Sequence, residues 1–143
     1  MKKIFYFIII VIVILVIIFG IYINYKMNYN LAQKENRDFE YYFQKEIYGS
    51  NLTTIINKVI DINENNQVEI DENDFYISDK KNSIIIEIYI SDNEKIYRME
   101  TIYKGGMNNF IENYGNIKFK CTKKEYHKET NKISYLYFEQ ISD

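Results

Sequence analysis

Cysteine and histidine are almost absent from this sequence, in which Cys121 and His127 are the only residues of their kinds. A single cysteine cannot form an internal disulfide, so the folded part must be held together by packing alone. Cys121 also lies too far from the N-terminus to carry an N-terminal lipid. Residues six apart on one extended strand are about 20 Å apart, which excludes a catalytic Cys121–His127 pair. We expect a buried cysteine and a solvated histidine near a hairpin tip.

Proline and tryptophan are absent, and Ala32 is the only alanine. The abundant residues, Ile, Asn, Lys and Tyr, share A/T-rich codons, which favours an A/T-rich bacterial genome as the source of the bias. The 15 tyrosines therefore carry less functional meaning than their number suggests.

An excess of positive charge is also lacking, because 18 basic residues face 20 acidic ones. Nucleic-acid binding normally requires a clustered basic surface, so no nucleic-acid partner is expected. Gly105-Gly106 is followed by no phosphate-binding lysine and is interpreted as a turn.

The acidic residues Asp71, Glu72, Asp74 and Asp79 do not follow the calcium-loop spacing, because Phe75 occupies the third ligand position. We predict a solvated acidic loop, and a cation bound between Asp71 and Asp74 remains the alternative. No catalytic, cofactor-binding or metal-binding residue is predicted, and no small-molecule ligand is expected. An enzyme would have to use carboxylates such as Glu100, Glu112 or Glu125.

What the chain does have is one long apolar run, Ile4–Ile23, without a charge. As a helix of about 20 residues it would span about 30 Å, the thickness of a bilayer core. Tyr6 and Tyr22 lie near its two ends, where amphipathic rings favour the membrane interface. The run predicts a transmembrane helix that binds the lipid bilayer.

Large side chains follow this run, in the sequence Phe19-Gly-Ile-Tyr-Ile-Asn24, where a signal peptidase needs small ones. We therefore expect an uncleaved signal-anchor of a single-pass protein in the cell membrane. Lys2 and Lys3 favour a cytoplasmic N-terminus. The expected division is a cytoplasmic stub at 1–3, the transmembrane helix at 4–23, a juxtamembrane tether helix at 24–48 and an extracytoplasmic domain at 49–143. Cleavage and the reverse orientation remain open.

Three helices are predicted beyond the anchor. Phe39, Phe43 and Ile47 repeat every four residues within Leu31–Tyr48, with Gly49 as the C-terminal cap. Ser50 can cap a second helix, Asn51–Ile62, which is the best core helix of the chain. The spacing of Met107, Phe110, Ile111 and Tyr114 indicates a third helix, which Gly115 ends.

Strands are predicted around Val68–Ile70 and Phe75–Ile77, and then at Ser83–Ser91 and Glu94–Lys104 across an Asp92-Asn93 turn. That turn places four pairs opposite each other: Ile88 and Tyr97, Ile86 and Met99, Ile84 and Thr101, and the charge pair Glu87 and Arg98.

A last hairpin, Asn116–His127 with Ile133–Ile141, turns at Thr130-Asn131, so that Cys121 faces Gln140 and Lys123 faces Phe138. Its core face contains Ile117, Phe119, Cys121, Leu136 and Phe138. The order of elements predicts an α+β fold, with a small antiparallel sheet and helices packed on one face.

An apolar N-terminal helix that continues into a polar one, ahead of an antiparallel sheet, resembles the layout of type IV pilins and pseudopilins. Those proteins have a basic leader ending in Gly or Ala, then Phe or Met, then a Glu four residues on. Here the sequence reads Lys3-Ile4-Phe5, and no acidic residue precedes Glu35. The resemblance is one of layout, and a pilin-like or secretion-apparatus subunit is the alternative function that it implies.

Tyr126, Tyr135 and Tyr137 are predicted to share the other face of the last hairpin with Lys118, Lys120 and Lys124. Tyrosine is enriched at protein interfaces. This is the possible interaction face for an unidentified protein partner. The leading hypothesis is a membrane-anchored accessory or protein-interaction domain that is not an enzyme.

Overall fold

The computed structural model describes residues 2–141, which form an N-terminal helix and an α+β domain, as predicted. In chain order the elements are α1 (Lys2–Glu40), β1 (Glu46–Tyr48), α2 (Gly49–Asn65), β2 (Ile85–Ile90), β3 (Lys95–Arg98), α3 (Met99–Gly105), α4 (Met107–Tyr114), β4 (Lys118–Tyr126) and β5 (Ile133–Gln140).

Helix α1 is continuous through two different environments. Its large apolar side chains from Ile4 to Ile23 are between 39% and 67% exposed in the isolated chain. A helix that is apolar on all sides cannot bury all of them by packing one side against the core of a small domain. Near its C-terminal end, Ala32, Asn36 and Phe39 are buried in the domain. This helix is the one described element long and apolar enough to cross a membrane.

The predicted helix over Leu31–Tyr48 is correct up to Glu40 and wrong beyond it. Residues 41–45 turn, with Gln44 at a φ of 63°. The backbone N–H of Gln44 donates to the Cys121 carbonyl, and Ile47 then pairs with Phe119. The four-residue spacing of Phe39, Phe43 and Ile47 fits a helix, but it also fits a helix end followed by a turn and an edge strand. Here the backbone of β4 provides hydrogen-bond partners for the second arrangement.

Helix α2 carries the apolar face predicted for it, with Leu52, Ile56 and Val59 fully buried. It begins at Gly49 rather than behind a Ser50 cap. A Cβ at position 49 would overlap the backbone carbonyl of Tyr114. Gly49 therefore allows a close approach between α2 and the end of α4, instead of capping the preceding helix.

The sheet has the order β1-β4-β5-β2-β3 and is mixed, which corrects the prediction of a purely antiparallel sheet. β2 lies parallel to β5, with Ile86 beside Leu136 and Ile88 beside Phe138. Parallel neighbours need a crossover, and here β3, α3, α4 and β4 lie between them in the chain. Local hairpin patterns contain no information about this long-range pairing.

The first hairpin keeps its predicted register, since Ile88 pairs with Tyr97 and Glu87 with Arg98. Its strand β3 ends at Arg98, however, and the predicted strand pairing of Met99 and Thr101 is wrong because α3 begins there. The expected cross-strand ion pair is also not formed. Arg98 instead contacts the buried Glu100, at 2.8 Å between Nη2 and Oε1.

The segments around Val68–Ile70 and Phe75–Ile77 do not join the sheet. A single bridge, Ile70 to Tyr76, links them. Glu100 Oε1 accepts the Tyr76 N–H at 2.9 Å. These segments form a loop packed beside α3. The Tyr76 N–H bonds to a side chain of α3 instead of a neighbouring strand, so the alternating pattern here does not correspond to a strand of the sheet.

The last hairpin has the predicted core face but a different register. Cys121 faces Phe138 rather than Gln140, and Lys123 faces Tyr137 rather than Phe138. The shift begins at the turn, because Tyr126 pairs with Ile133 and the His127 N–H donates to the Lys132 carbonyl. Two irregularities farther along, between Glu125 and Tyr126 and between Cys121 and Lys123, each change the register by one residue and offset one another. A bulge inserts one unpaired residue and so reverses the side on which later residues lie.

The core fills the space between one face of the sheet and the helices. Phe119, Leu136 and Phe138 from the sheet are buried together with α2 residues. Phe110 of α4 packs 6.0 Å from Phe119, centroid to centroid. The helices therefore pack on one face, as predicted, and the opposite face of β2, β4 and β5 is left for solvent or a partner.

Candidate functional site

The tyrosine-rich surface predicted from sequence is divided between the two faces of the sheet. Tyr135 and Tyr137 alternate with the core residues Leu136 and Phe138 and so point away from the helices. Both are half-buried, and their rings stack at 6.5 Å with an interplanar angle of 19°. We define the open face by its members: Glu87, Tyr89, Lys120, Lys123, Tyr135, Tyr137 and Glu139.

Lys124 and Tyr126 lie on the helix-packed side, which corrects the prediction that they share a face with Tyr135 and Tyr137. Lys124 pairs across the hairpin with the core residue Leu136. The Tyr126 hydroxyl donates to Glu40 Oε1 at 2.5 Å, and Lys124 Nζ lies 3.7 Å from the same oxygen. These contacts connect β4 to the end of α1, so the two residues hold the helix in place.

Charged groups and tyrosines alternate on the open face, and they pair with one another. The Tyr135 hydroxyl donates to Glu87 Oε2 at 2.7 Å. Lys123 Nζ lies 5.1 Å from the centre of the Tyr137 ring, a cation–π distance. Lys120 stands opposite Glu139 in the register. The surface is thus amphipathic and preorganised, with both signs of charge.

Burial governs the ionisation of these tyrosines. Desolvation, and then the hydrogen bond to Glu87, raise the pKa of Tyr135 above its ordinary value. Desolvation also raises the pKa of Tyr137, with Glu139 adding to it. Both phenols are therefore neutral hydrogen-bonding groups at neutral pH.

The cysteine is positioned as predicted, in the core. Cys121 is fully buried, and burial raises the pKa of its thiol to about 11. A protonated, inaccessible thiol is a poor nucleophile.

The carboxylates considered for an enzyme do not converge. Glu100 is buried and held by Arg98 and the Tyr76 N–H, whereas Glu112 and Glu125 are exposed on other elements. None of the three carboxylates lines any of five surface clefts formed by residues 17–141.

His127 is buried, which corrects the expectation of a solvated residue. Its Nε2 lies 2.7 Å from the Ser83 carbonyl oxygen and 4.0 Å from Asp79 Oδ1. Ser83 Oγ accepts the Asp79 N–H at 2.8 Å and is itself buried. The three residue types match those of a hydrolase triad, but the histidine contacts a backbone carbonyl instead of the serine hydroxyl. The cluster joins the 79–83 loop to the β4–β5 hairpin.

The acidic loop is organised by its own backbone. Asp71 Oδ1 accepts the N–H groups of Asn73 and Phe75, at 2.8 and 2.9 Å. These bonds, chiefly the one from Phe75, hold the pKa of Asp71 below its ordinary value. Asp74 forms an ion pair with Lys104 at 2.9 Å. No group of three or more potential metal ligands occurs within residues 2–141.

Two buried asparagines were not identified from the sequence. Asn36 of α1 donates to the Asn131 carbonyl at 2.6 Å and accepts the Ile133 N–H at 2.8 Å. Asn63 of α2 donates to the Ile84 carbonyl at 2.8 Å and accepts the Ile84 N–H at 2.9 Å. The sequence does contain a signal for Asn36, because it lies four residues after Ala32 and so on the same, buried side of the helix. Its hydrogen-bond partners could not be predicted, since they are 95 and 97 residues away in the chain.

Comparison with family models, with curated proteins and with solved structures gives no match. The geometry of the chain alone therefore bears on its function.

Proposed function

We propose that this chain is a single-pass membrane protein whose extracytoplasmic domain is an accessory or protein-interaction module. The observation that carries the proposal is the open face: it presents stacked tyrosines and paired charges on a sheet whose other face is covered by helices. Such a surface combines rigid amphipathic area with hydrogen-bonding groups, the features that are enriched at protein interfaces.

The anchor supports the membrane part of this proposal. A charge-free run of about 20 residues, all of it exposed in the isolated chain, has no protein core to enter. Lipid supplies the missing apolar environment. Lys2 and Lys3 before the run favour a cytoplasmic N-terminus, which would place the domain outside.

Orientation can be tested with cysteines, because the native Cys121 is buried. A Lys95→Cys variant places a reactive thiol at an exposed site on β3. We expect a membrane-impermeant maleimide to label it in intact cells, and a Lys3→Cys variant to react only after lysis. Labelling of Lys3→Cys alone in intact cells would reverse the proposed orientation.

The interaction surface can be tested by site-specific photo-cross-linking in intact cells. A photoreactive residue replaces Tyr137 or Tyr89 on the open face, and Asn57 on the exposed side of α2 serves as the matched control. We expect one discrete cross-linked species from both open-face positions and none from position 57. Equal products from all three positions, or none from any, would contradict the proposal.

A pilin-like or secretion-apparatus subunit is a second candidate because α1 runs unbroken from the apolar segment into its contacts with the domain. This is the layout that the sequence resembles. The distinguishing measurement is the N-terminal sequence of the mature protein. A start at Ile4 or Phe5 would favour the pilin-like subunit, and an intact Met1 would favour the accessory module.

A further inference from the structure

The distance between the apolar run and the domain is short. α1 rises about 1.5 Å per residue, so Ala32, its first buried residue after the run, lies about 13 Å beyond Ile23. Headgroup layers extend about 5 to 8 Å beyond the hydrocarbon core on each side. If α1 spans the membrane as proposed above, the domain must lie against the lipid surface.

The side of the domain that faces the lipid is determined by the contacts of α1. Asn36 holds the Asn131 carbonyl and the Ile133 N–H, and Glu35 pairs with Lys132 at 3.0 Å. Ala32 is completely buried. These contacts connect the helix to the tip of the β4–β5 hairpin, so the tip cannot swing away from the anchor.

The hairpin tip reaches further down the helix, toward the apolar run. A cleft of about 350 Å³ is lined on the helix side by Tyr25, Asn28, Tyr29 and Leu31, and on the domain side by Asn82 and by residues 129–132. Tyr25 and Tyr29 lie only about 3 and 9 Å beyond Ile23 along the helix axis. The tip and the 79–82 loop therefore stand at the depth of the headgroups.

The charge at this end of the domain differs from the charge elsewhere. We define the lipid-facing end as the lysines and carboxylates of the tip, the 79–82 loop and the adjoining part of α1. It contains six lysines against three carboxylates: Lys26, Lys34, Lys80, Lys81, Lys128 and Lys132, with Glu35, Asp79 and Glu129. The rest of the chain beyond the apolar run has ten basic residues against seventeen acidic ones.

The positive charges are partly free to bind anions. Lys81 pairs with Glu129 at 3.7 Å, and Lys132 with Glu35. Lys26, Lys80 and Lys128 are exposed and form no ion pair with any residue in the range 2–141. A lysine near an anionic bilayer surface is attracted over about a Debye length, about 8 Å at physiological ionic strength.

We propose that the lipid-facing end binds the phosphate groups of anionic lipids, with Lys26, Lys80 and Lys128 as the principal contacts. This inference rests on the proposed membrane topology. It gives the domain a second attachment, by charge, in addition to the apolar helix, and the two together fix how the open face is presented.

The test uses the full chain reconstituted in bilayers of phosphatidylcholine alone or of equal parts phosphatidylcholine and phosphatidylglycerol, with a trace of lipid carrying a nitroxide on its headgroup. Backbone amide signals of residues 79–82 and 127–132 report the distance to the headgroups. The turn at 91–94, at the opposite end of parallel strands β2 and β5, is the internal reference. The binding variant is Lys80→Gln with Lys128→Gln, and the charge-matched control is Lys45→Gln with Lys95→Gln, two exposed lysines outside both the lipid-facing end and the open face.

We expect the tip amides to be broadened in both bilayers, because α1 holds them near the headgroups, and to be broadened severalfold more in the anionic one, because the lysines draw the tip closer and this readout depends steeply on distance. The turn at 91–94 should be unaffected in both. The binding variant and a salt concentration near 1 M, where the Debye length is about 3 Å, should each remove the difference. The control variant should keep it. Equal broadening in both bilayers, or tip signals as sharp as those of the turn, would overturn the inference.

Flotation of the same vesicles separates this inference from the proposal on which it depends. If the protein floats with the vesicles but the amide signals of the tip stay sharp, the membrane anchor is supported and the lipid-binding end is ruled out. Protein that stays at the bottom of the gradient contradicts the membrane topology, and the lipid-binding end falls with it.

Discussion

The two ends of helix α1 belong to the same element but meet opposite requirements. From Ile4 to Ile23 every side is apolar and nothing in the chain covers it, whereas from Ala32 to Phe39 one narrow stripe is buried and the other sides are polar. The first pattern has no preferred direction, as expected for a segment surrounded by lipid. The second is directional, because a helix on a globular domain has only one neighbour.

On the proposed topology, one helix serves both as an anchor and as part of a core. The hydrogen bonds within the helix are satisfied along its whole length, so the surroundings alone change from one end to the other. In the proposed topology, the point at which they change, between Ile23 and Ala32, sets the distance from membrane to domain.

The largest effect is expected from charge in the apolar end. Two lysines in the double variant Val13→Lys with Ile14→Lys should disfavour insertion by about 5 to 7 kcal/mol, at about 2.5 to 3.5 kcal/mol each. Most of the protein should then leave the membrane fraction after an alkaline wash. The control Val13→Leu with Ile14→Leu should remain there, and retention of the lysine variant would show that the helix is held by something other than lipid.

A smaller effect is expected from the buried stripe at the other end. Phe39 is 2% exposed, so Phe39→Ala should lower the free energy of unfolding of the domain by about 3 to 5 kcal/mol. The measurement is urea denaturation of the full chain in a mild detergent. Tyr41→Ala, two residues on and exposed, is the matched control. A loss below about 1 kcal/mol for Phe39→Ala would mean that α1 does not belong to the core.

The asparagine clamp should matter less than the core but still measurably. Asn36→Ala leaves the Ile133 N–H and the Asn131 carbonyl without their partner, a cost of about 1 to 3 kcal/mol in the free energy of unfolding. Faster hydrogen exchange at the Ile133 amide would locate the change. Gln33→Ala, on the exposed side of the same helix, should not lower either quantity, since alanine favours a helix at least as well as glutamine. An equal loss there would show that the effect does not come from the clamp.

The smallest effect is expected between the two ends. Tyr29 is 43% exposed and stacks on Tyr25 of the same helix, so Tyr29→Ala should change the stability of the domain by less than about 0.5 kcal/mol. The same denaturation experiment measures it. A loss above about 1 kcal/mol would extend the buried region toward the membrane and shorten the exposed segment of α1.

Local patterns predicted several elements well. The apolar face of α2, the register of the β2–β3 hairpin around Ile88 and the core residues Phe119 and Phe138 all follow from spacing within one segment. Each depends on residues that are close in the chain, where helix and strand periodicity apply directly.

Long-range competition explains the misses. Met99 starts a helix in which Glu100 pairs with Arg98 and accepts the Tyr76 N–H. The alternation of apolar residues along a strand does not predict either contact. Tyr126 lies apart from Tyr135 because the irregularity between Glu125 and Tyr126 leaves Ser134 of β5 unpaired, so that Ile133 and its partner Tyr126 lie on the side opposite Tyr135. A predicted surface is only as reliable as the register beneath it, and a register slip of one residue moves a side chain to the other face.

By itself the sequence determined the apolar helix and the α+β class, because the spacing of apolar residues within one contiguous segment indicates whether that segment forms a helix or a strand. Only the tertiary structure decided the parallel pairing of β2 with β5, the open face and the clamp from Asn36 to the β4–β5 hairpin. Those features depend on backbone groups from distant segments that must satisfy one another once water is excluded. No single segment carries that information.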